Sequence, residues 1–267
     1  MVDMTDLYKE LFQSVNYDKN GEIVQYRYNK KKVTLNDLAH FASMRGELYD
    51  NSDVRLLVVG RAPNGWSSLP CESAQEFAEE ANRSFNSTGF SWIENPDDSF
   101  KELHNADKNP YYLSSSPFWR VAYGIWRGLA GSDDNQFLKH IAWSNLYKIA
   151  LGESGNPTAA MCKNQIEACK EILRAEIQSY RPTHILLVTD YDRWFAPFKK
   201  LFEERYRRGS NYENKTILVE GTAKFPLDDG TLIPTVITCR PERRKEDPFI
   251  DLAVKAFSSE QKEGEPD

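Results

Sequence analysis

The sequence has little cysteine and histidine, with four of each in 267 residues. No two cysteines form a Cys-x-x-Cys pair, which argues against a zinc ribbon or a dithiol redox motif. Cys162 and Cys169 lie seven residues apart in a stretch of helical pattern. We therefore predict that both are core thiols that pack as small apolar side chains. We expect no metal and no cofactor.

Long apolar runs are also missing. No stretch approaches the roughly 20 apolar residues that span a bilayer. The first residues, Met-Val-Asp-Met-Thr-Asp, carry no apolar signal region. From these two absences we predict no membrane partner and a cytoplasmic location.

An excess of positive charge is the third absence. The formal net charge is −6 and the isoelectric point is about 5.4. Proteins that hold nucleic acid through bulk charge are usually basic. Any contact with nucleic acid must therefore come from local basic patches.

The motifs of common hydrolases do not occur. There is no Gly-x-Ser-x-Gly elbow and no His-Glu-x-x-His pair. Asp190 and Asp192 follow a predicted strand and could bind a metal or act as a base. The alternative is a solvated turn at the end of a strand.

Apolar runs that suit buried strands alternate with helical patterns along the chain. This alternation predicts an α/β fold, a three-layer α/β/α sandwich with a central, mainly parallel sheet. Strands are predicted at 54–59, 141–146, 184–189, 216–219 and 235–238. Helices are predicted at 5–12, 34–48, 73–85, from Ser116, at 159–179, 194–205 and 248–257. We expect a single domain over residues 1–257, with a helical extension at 1–50, an insertion at about 67–115 and a disordered tail at 258–267.

In parallel sheets, ligands bind beyond the carboxyl ends of the strands, so three such ends are of interest. The first strand runs into Gly60-Arg61-Ala62-Pro63-Asn64-Gly65-Trp66, whose glycines and proline suit a loop that a flat ligand can approach. Asn145 follows the second long strand, and its amide could read the edge of a base. The last strand runs into Arg240-Pro241-Glu242-Arg243-Arg244-Lys245, where the clustered cations favour a phosphate.

Each strand end also has a plainer interpretation. The Gly60 segment could be a tight turn, and Asn145 could satisfy backbone groups at the end of its strand. The basic segment could be a solvated loop that leads into a helix. Trp66, Phe90 and Trp92 are candidates for stacking on a base, or ordinary core residues.

Together, the three strand ends resemble the uracil-DNA glycosylase superfamily. That superfamily has a Gly-x-x-Pro loop after the first strand, an Asn with a following Lys after a middle strand, and a His-Pro loop after the last strand. The counterparts here are Gly60 to Pro63, Ser144 to Lys148, and Arg240-Pro241. The pattern is closest to the iron–sulfur type of bacteria and thermophiles, and it covers about residues 54–257.

The resemblance implies a pocket in which a flipped base meets Gly60, Arg61, Ala62, Pro63, Trp66, Asn145, Lys148 and Pro241. It implies that Asn64 positions a water, that Arg240 offsets charge on the departing base, and that Arg243 and Arg244 hold phosphates. Arg61 replaces the family's carboxylate, and Arg240 replaces its His. Ile149 stands where a cluster cysteine would follow Lys148, so no metal cluster is expected.

Two functions follow from the resemblance and its departures. One is a divergent DNA glycosylase that hydrolyses a damaged base. The other is a non-catalytic protein that binds nucleic acid, a nucleotide or another anion. In both cases DNA or a nucleotide is the expected partner.

Overall fold

The computed structural model describes residues 2–18, 20–22, 24–34, 37–63, 73–90, 113–132, 136–152, 155–203, 207–208, 212–213 and 216–262. The chain forms two compact units that alternate along the sequence. The first unit comprises Met1–Met44, Gly60–Ser87 and Ser144–Ser179. The second comprises Arg45–Val59, Thr88–Trp143 and Tyr180–Asp267. The predicted single domain stays a prediction.

The first unit begins with a helix, two short strands and a third strand. Its elements are α1 (Thr5–Asn16), β1 (Tyr26–Tyr28), β2 (Lys31–Val33), β3 (Leu38–His40), α2 (Ala74–Asn86), β7 (Ile149–Leu151) and α5 (Ala159–Tyr180). The strands form two antiparallel pairs, β1 with β2 and β3 with β7.

Helices α1 and α2 pack together through aromatic side chains. In α1 the buried positions include Tyr8, Leu11, Phe12 and Val15, which share one helical face. The ring of Phe77 on α2 lies 5.8 Å from that of Tyr8 and 5.6 Å from that of Phe12. The Ser73 hydroxyl accepts a hydrogen bond from the Glu76 N–H and caps α2, as the sequence predicts.

The second unit contains most of a seven-stranded sheet. The strand order is β4-β6-β5-β8-β13-β12-β9. The ranges are β4 (Met44–Arg45), β5 (Leu56–Gly60), β6 (Ile141–Asn145), β8 (His184–Val188), β9 (Arg207–Arg208), β12 (Val219–Pro226) and β13 (Leu232–Thr238). Strands β5, β8 and β13 run parallel, and β12 and β9 are antiparallel at one edge.

This arrangement confirms the α/β class with a mostly parallel central sheet. Strands β5, β6 and β8 are buried along their whole length. Near-continuous apolar runs are what a parallel sheet covered on both faces requires. For this reason the apolar runs in the sequence predict these three strands.

The remaining elements of the second unit are short, apart from two helices. They are α3 (Pro117–Ala130), α4 (Phe137–His140), α6 (Glu246–Lys262), β10 (Tyr212–Glu213), β11 (Thr216–Ile217), a π-helix (Tyr191–Phe195) and 3₁₀ turns at Tyr49–Asn51, Leu113–Ser115 and Ala196–Leu201. Helix α6 packs on β12 and β13, and α3 packs on α6. Gly124 and Gly128 allow that close approach, because a Cβ on them would lie 2.3 Å and 2.8 Å from Ile250 and Val254.

Three sequence-based expectations are wrong in detail. The helix predicted at 34–48 is replaced by strands β3 and β4, since strand pairing overrides the helical spacing of its apolar residues. The helix predicted at 194–205 is a π-helix followed by a 3₁₀ turn, both of which end by Leu201. Helix α6 continues to Lys262, so residues 258–262 of the predicted disordered tail are helical.

Candidate functional site

Two strand ends of the first unit lie side by side. The Gly60 carbonyl accepts a hydrogen bond from the Leu146 N–H at 2.9 Å, and the Arg61 carbonyl accepts one from the Tyr147 N–H, also at 2.9 Å. These bonds join the Gly60 loop (Gly60, Arg61, Ala62 and Pro63) to the Asn145 turn (Ser144 to Lys148). Two of the three predicted strand ends are therefore in direct contact.

Asn145 is a buried polar residue at this junction whose side-chain amide lacks a hydrogen-bond partner among the described residues. Its side chain is almost wholly buried, with 2% of the residue exposed. Its Nδ2 has no hydrogen-bond partner among the described residues. Buried amides without a partner are rare in proteins, because each one loses its bonds to water without replacement. The plainer interpretation, an Asn that satisfies backbone groups, does not match this geometry.

A buried ion pair between Lys148 and Glu176 stabilises the Asn145 turn. Lys148 and Glu176 are both fully buried, and Lys148 Nζ lies 2.8 Å from each carboxylate oxygen of Glu176. Lys148 Nζ also donates to Ser144 Oγ at 2.6 Å, and Ser144 Oγ donates to Glu176 Oε2 at 2.6 Å. The three N–H groups of the ammonium thus meet partners inside the protein. Lys148 was predicted to bind substrate, but this geometry makes it a support for the turn.

Phe41, Gln165 and Tyr8 complete the support. The Phe41 N–H donates to the Lys148 carbonyl at 2.8 Å, and the Phe41 ring lies 5.8 Å from Lys148 Nζ, within range of a cation–π contact. The side chain of Gln165 on α5 forms two hydrogen bonds with the backbone of Ile149. The Ile149 N–H donates to Gln165 Oε1 at 3.0 Å, and Gln165 Nε2 donates to the Ile149 carbonyl at 2.8 Å. The Tyr8 hydroxyl lies 3.5 Å from Glu176 Oε1.

Sequence reasoning missed Glu176 and Gln165. Both lie on the buried stripe of α5, at the spacing that Cys169, Ile172 and Leu173 also follow. A polar residue at a core position of an amphipathic helix needs a partner, and this was the available signal. Burial raises the pKa of the Cys169 thiol to about 12, so this cysteine is an inert core residue, as predicted.

The Gly60 loop contributes backbone and one cation. Pro63 is buried, whereas Arg61 and Ala62 are half-buried. Asn64 and Trp66, the predicted water-positioning and stacking residues, lie outside the described residues, as does Trp92. Phe90 is buried, with 3% exposed, in the second unit.

The third predicted strand end belongs to the second unit and follows β13. In this Arg240 loop (residues 239–245), the Arg240 N–H donates to Asp190 Oδ1 at 3.1 Å. The Arg240 guanidinium forms an ion pair with Glu242, two residues away, and 44% of the Arg240 side chain is exposed. Asp190 adopts a φ of +62°, which is uncommon for a residue with a side chain.

The other predicted residues of this loop differ in exposure. Pro241 is buried, Arg243 is exposed with a φ of +63°, and Arg244 is half-buried. Burial, and secondly the Glu220 carboxylate, raise the pKa of the Cys239 thiol to about 11, against an opposing effect of Arg244. The convergence of Arg240 with Asn145 on one cleft stays a prediction.

Metal-binding and membrane-spanning features are both absent from the described part of the chain. There, no group of three or more His, Cys, Asp or Glu side chains is arranged to hold a metal ion. Cys162, Cys169 and Cys239 are free thiols. None of the described helices is long and apolar enough to cross a membrane.

No protein-family model matches the chain, and no curated protein matches it. The candidate site therefore rests on its own geometry.

Proposed function

We propose that this protein binds a nucleobase at the Asn145 turn, as a divergent member of the uracil-DNA glycosylase superfamily. The observation that carries the proposal is the buried Asn145 amide, whose Nδ2 has no partner among the described residues. A primary amide presents a donor and an acceptor side by side, which matches the edge of a base. Enzymes that act on flipped bases read that edge by hydrogen bonds.

The energetic argument favours a ligand. A buried polar group without a partner costs about 1–3 kcal/mol, and a base that supplies the missing acceptor would recover it. The amide is also preorganised, because the ion pair of Lys148 with Glu176 and the bonds from Gln165 fix the turn that carries it. A rigid reading residue does not have to be ordered when the ligand binds.

The proposal includes the finer fold, a three-layer α/β/α sandwich of the uracil-DNA glycosylase type. Its support is the mostly parallel sheet together with the order of the strand ends along the chain. In such a sheet, the residues that follow parallel strands share one edge. By the resemblance, Arg243 and Arg244 would hold phosphates.

In the catalytic form of the proposal, water replaces the base at the sugar. The bond between the sugar carbon and the base nitrogen breaks, the water oxygen bonds to that carbon, and the base leaves with a proton. Asn64 would position the water, and Arg240 would offset the charge on the departing base. Asn64 has no basic group, so the rate would depend on the departing base more than on activation of water.

A second candidate is a non-catalytic binder of nucleic acid, a nucleotide or another anion. It is favoured by Arg61, which stands in the Gly60 loop where the iron–sulfur type that the pattern resembles carries a carboxylate. A guanidinium cannot act as a general base at neutral pH, but it binds phosphate well. This candidate shares the base pocket and lacks only the hydrolytic step.

The deciding experiment measures release of free base from oligonucleotides that contain uracil, hypoxanthine or xanthine. Release that disappears in Asn145→Ala supports the glycosylase. Thermal stabilisation by nucleotides, without release, supports the binder. Absence of both release and stabilisation would overturn the base pocket.

Asn16 provides a matched control in the same unit. It is buried to a similar degree, with 3% exposed, but its Nδ2 donates to the Phe12 carbonyl at 2.9 Å. We expect Asn16→Ala to lower the free energy of unfolding by about 1 kcal/mol and to keep ligand binding. Asn145→Ala should cost less stability than Asn16→Ala and abolish binding. The reverse pattern would show that Asn145 is structural.

A further inference from the structure

A short β-hairpin in the first unit carries a dense group of cations. Strands β1 and β2 pair antiparallel with Tyr26 opposite Val33, Arg27 opposite Lys32, and Tyr28 opposite Lys31. Its four cations are Arg27, Lys30, Lys31 and Lys32, and residues 24–34 contain no acidic residue. This basic hairpin (residues 26–33) stands out in a chain whose net charge is −6.

The cations of the basic hairpin are exposed, and two of them repel each other. Arg27 and Lys32 occupy directly opposite positions. Like charges at such positions destabilise a strand pair. Among the described residues, no ion pair involves Arg27, Lys30 or Lys32. Lys31 lies near Asp37, whose pKa is lowered mainly by hydrogen bonds from Thr34 and in small part by Lys31.

The turn of the hairpin also holds two residues in an unfavourable backbone conformation. Asn29 and Lys30 have φ angles of +49° and +66°, the left-handed region. Two-residue hairpin turns of this kind favour Asn-Gly, because glycine adopts a positive φ without strain. Asn29 fits that preference, but the glycine position holds Lys30. The sequence therefore places a cation at the tip where a glycine would fold more easily.

The base of the hairpin is anchored. The Tyr26 hydroxyl donates to the Val15 carbonyl at 2.6 Å and accepts from Asn164 Nδ2 at 2.9 Å. Tyr26 and Val33 are buried, whereas 42% of Tyr28 is exposed. The hairpin thus presents four cations and one aromatic ring on a fixed support.

We propose that the basic hairpin binds the phosphate backbone of a single-stranded nucleic acid, with Tyr28 as a stacking surface for a base. Cations interleaved with an aromatic side chain are typical of single-strand binding surfaces. A membrane surface would call for several exposed apolar residues beside the cations, and the hairpin exposes only one aromatic ring. The proposal goes beyond the base pocket, since it holds whether or not Asn145 reads a base.

The test compares two variants with the same loss of charge. Arg27→Gln/Lys32→Gln removes the opposed pair of the hairpin. Lys199→Gln/Lys200→Gln removes two exposed lysines of the second unit and serves as the control. Binding of a fluorescent oligothymidylate of about 20 nucleotides is measured by anisotropy between about 50 and 200 mM salt.

We expect the hairpin variant to bind on the order of tenfold or more weakly at low salt, with the slope of log K against log salt reduced by about 1.4. The control should bind like the wild type. The melting temperature of the hairpin variant should stay the same or rise, because the repulsion between residues 27 and 32 is removed. Weak binding therefore could not be attributed to unfolding.

Tyr28→Ala provides the second measurement. Loss of one stacking platform should weaken binding roughly tenfold and leave the salt slope unchanged. Equal binding by the wild type and Arg27→Gln/Lys32→Gln would refute the proposal. It would also be overturned if vesicles rich in phosphatidylserine bound the hairpin and the oligonucleotide did not. Arg27→Gln/Lys32→Gln should keep thermal stabilisation by a free nucleotide, which the base pocket alone would bind, so failure of the base pocket and failure of the hairpin are separable.

Discussion

The Asn145 turn and the Arg240 loop both carry a cation just after a buried strand, but the two cations have different roles. Lys148 is fully buried, and its partners are Glu176, 28 residues further along the chain, and Ser144 of the same turn. Arg240 is 44% exposed, and its partner Glu242 is two residues away. A buried cation fixes a turn, whereas an exposed one stays available to a ligand. A cation that follows a buried strand can therefore either stabilise the turn or remain accessible to a ligand, and its burial decides which.

The largest expected effect concerns the buried pair. Lys148→Met should lower the free energy of unfolding by about 3–5 kcal/mol, because it leaves the Glu176 carboxylate buried without its cation. Chemical denaturation monitored by tryptophan fluorescence measures the loss. The double variant Lys148→Met/Glu176→Leu should recover most of the stability, since it removes both charges. A loss under about 1 kcal/mol for the single variant would place Lys148 in the same class as Arg240.

Two histidines, His40 of the first unit and His184 of the second, test whether acid destabilises both units. Burial lowers the pKa of His40 and of His184 to about 4, against an ordinary value of 6.5. Between these values the unfolded chain binds more protons than the folded protein. Stability is therefore complete above about pH 6.5 and falls toward pH 4, by up to about 1.4 kcal/mol per pH unit for each histidine.

The histidine prediction is checked by urea denaturation at several pH values. His40→Phe and His184→Phe should each remove one part of the acid loss, because neither variant can take up the proton. Acid sensitivity that survives both substitutions would trace to other groups.

The smallest effect is expected at the Arg240 loop. Glu242→Gln should change the free energy of unfolding by less than about 1 kcal/mol, because exposed ion pairs contribute little in water. Thermal denaturation at two salt concentrations measures it. A loss above about 2 kcal/mol would show that the pair of Arg240 with Glu242 contributes as much to stability as a buried ion pair. The difference from the Asn145 turn would then not hold.

Much of the fold was predictable because its strands are buried on both faces. The continuous apolar runs of β5, β6 and β8 identified them, and Ser73 marked the start of α2. The helix predicted at 34–48 failed because its apolar spacing was equally compatible with β3, which pairs with β7 more than a hundred residues later. Such pairings are not encoded in any short window of sequence.

The candidate site was predictable to the same extent. The positions of Gly60 and Asn145 at the ends of their strands were predictable from the alternation of strands and helices. The Gly60 loop and the Asn145 turn are joined by hydrogen bonds that sequence could only suggest. The role of Lys148 was not predictable, because its partner Glu176 lies on α5, 28 residues further along the chain.

By itself, the sequence determined the α/β class, the places where strands end, and the residue types that follow them. Those features depend on local apolar pattern and on turn residues, which act over a few positions. Only the tertiary structure decided which polar side chains are buried, which of them have partners, and which cations face solvent. Burial and pairing depend on segments that are distant in the chain, and they separate the support provided by Lys148 from the buried amide of Asn145.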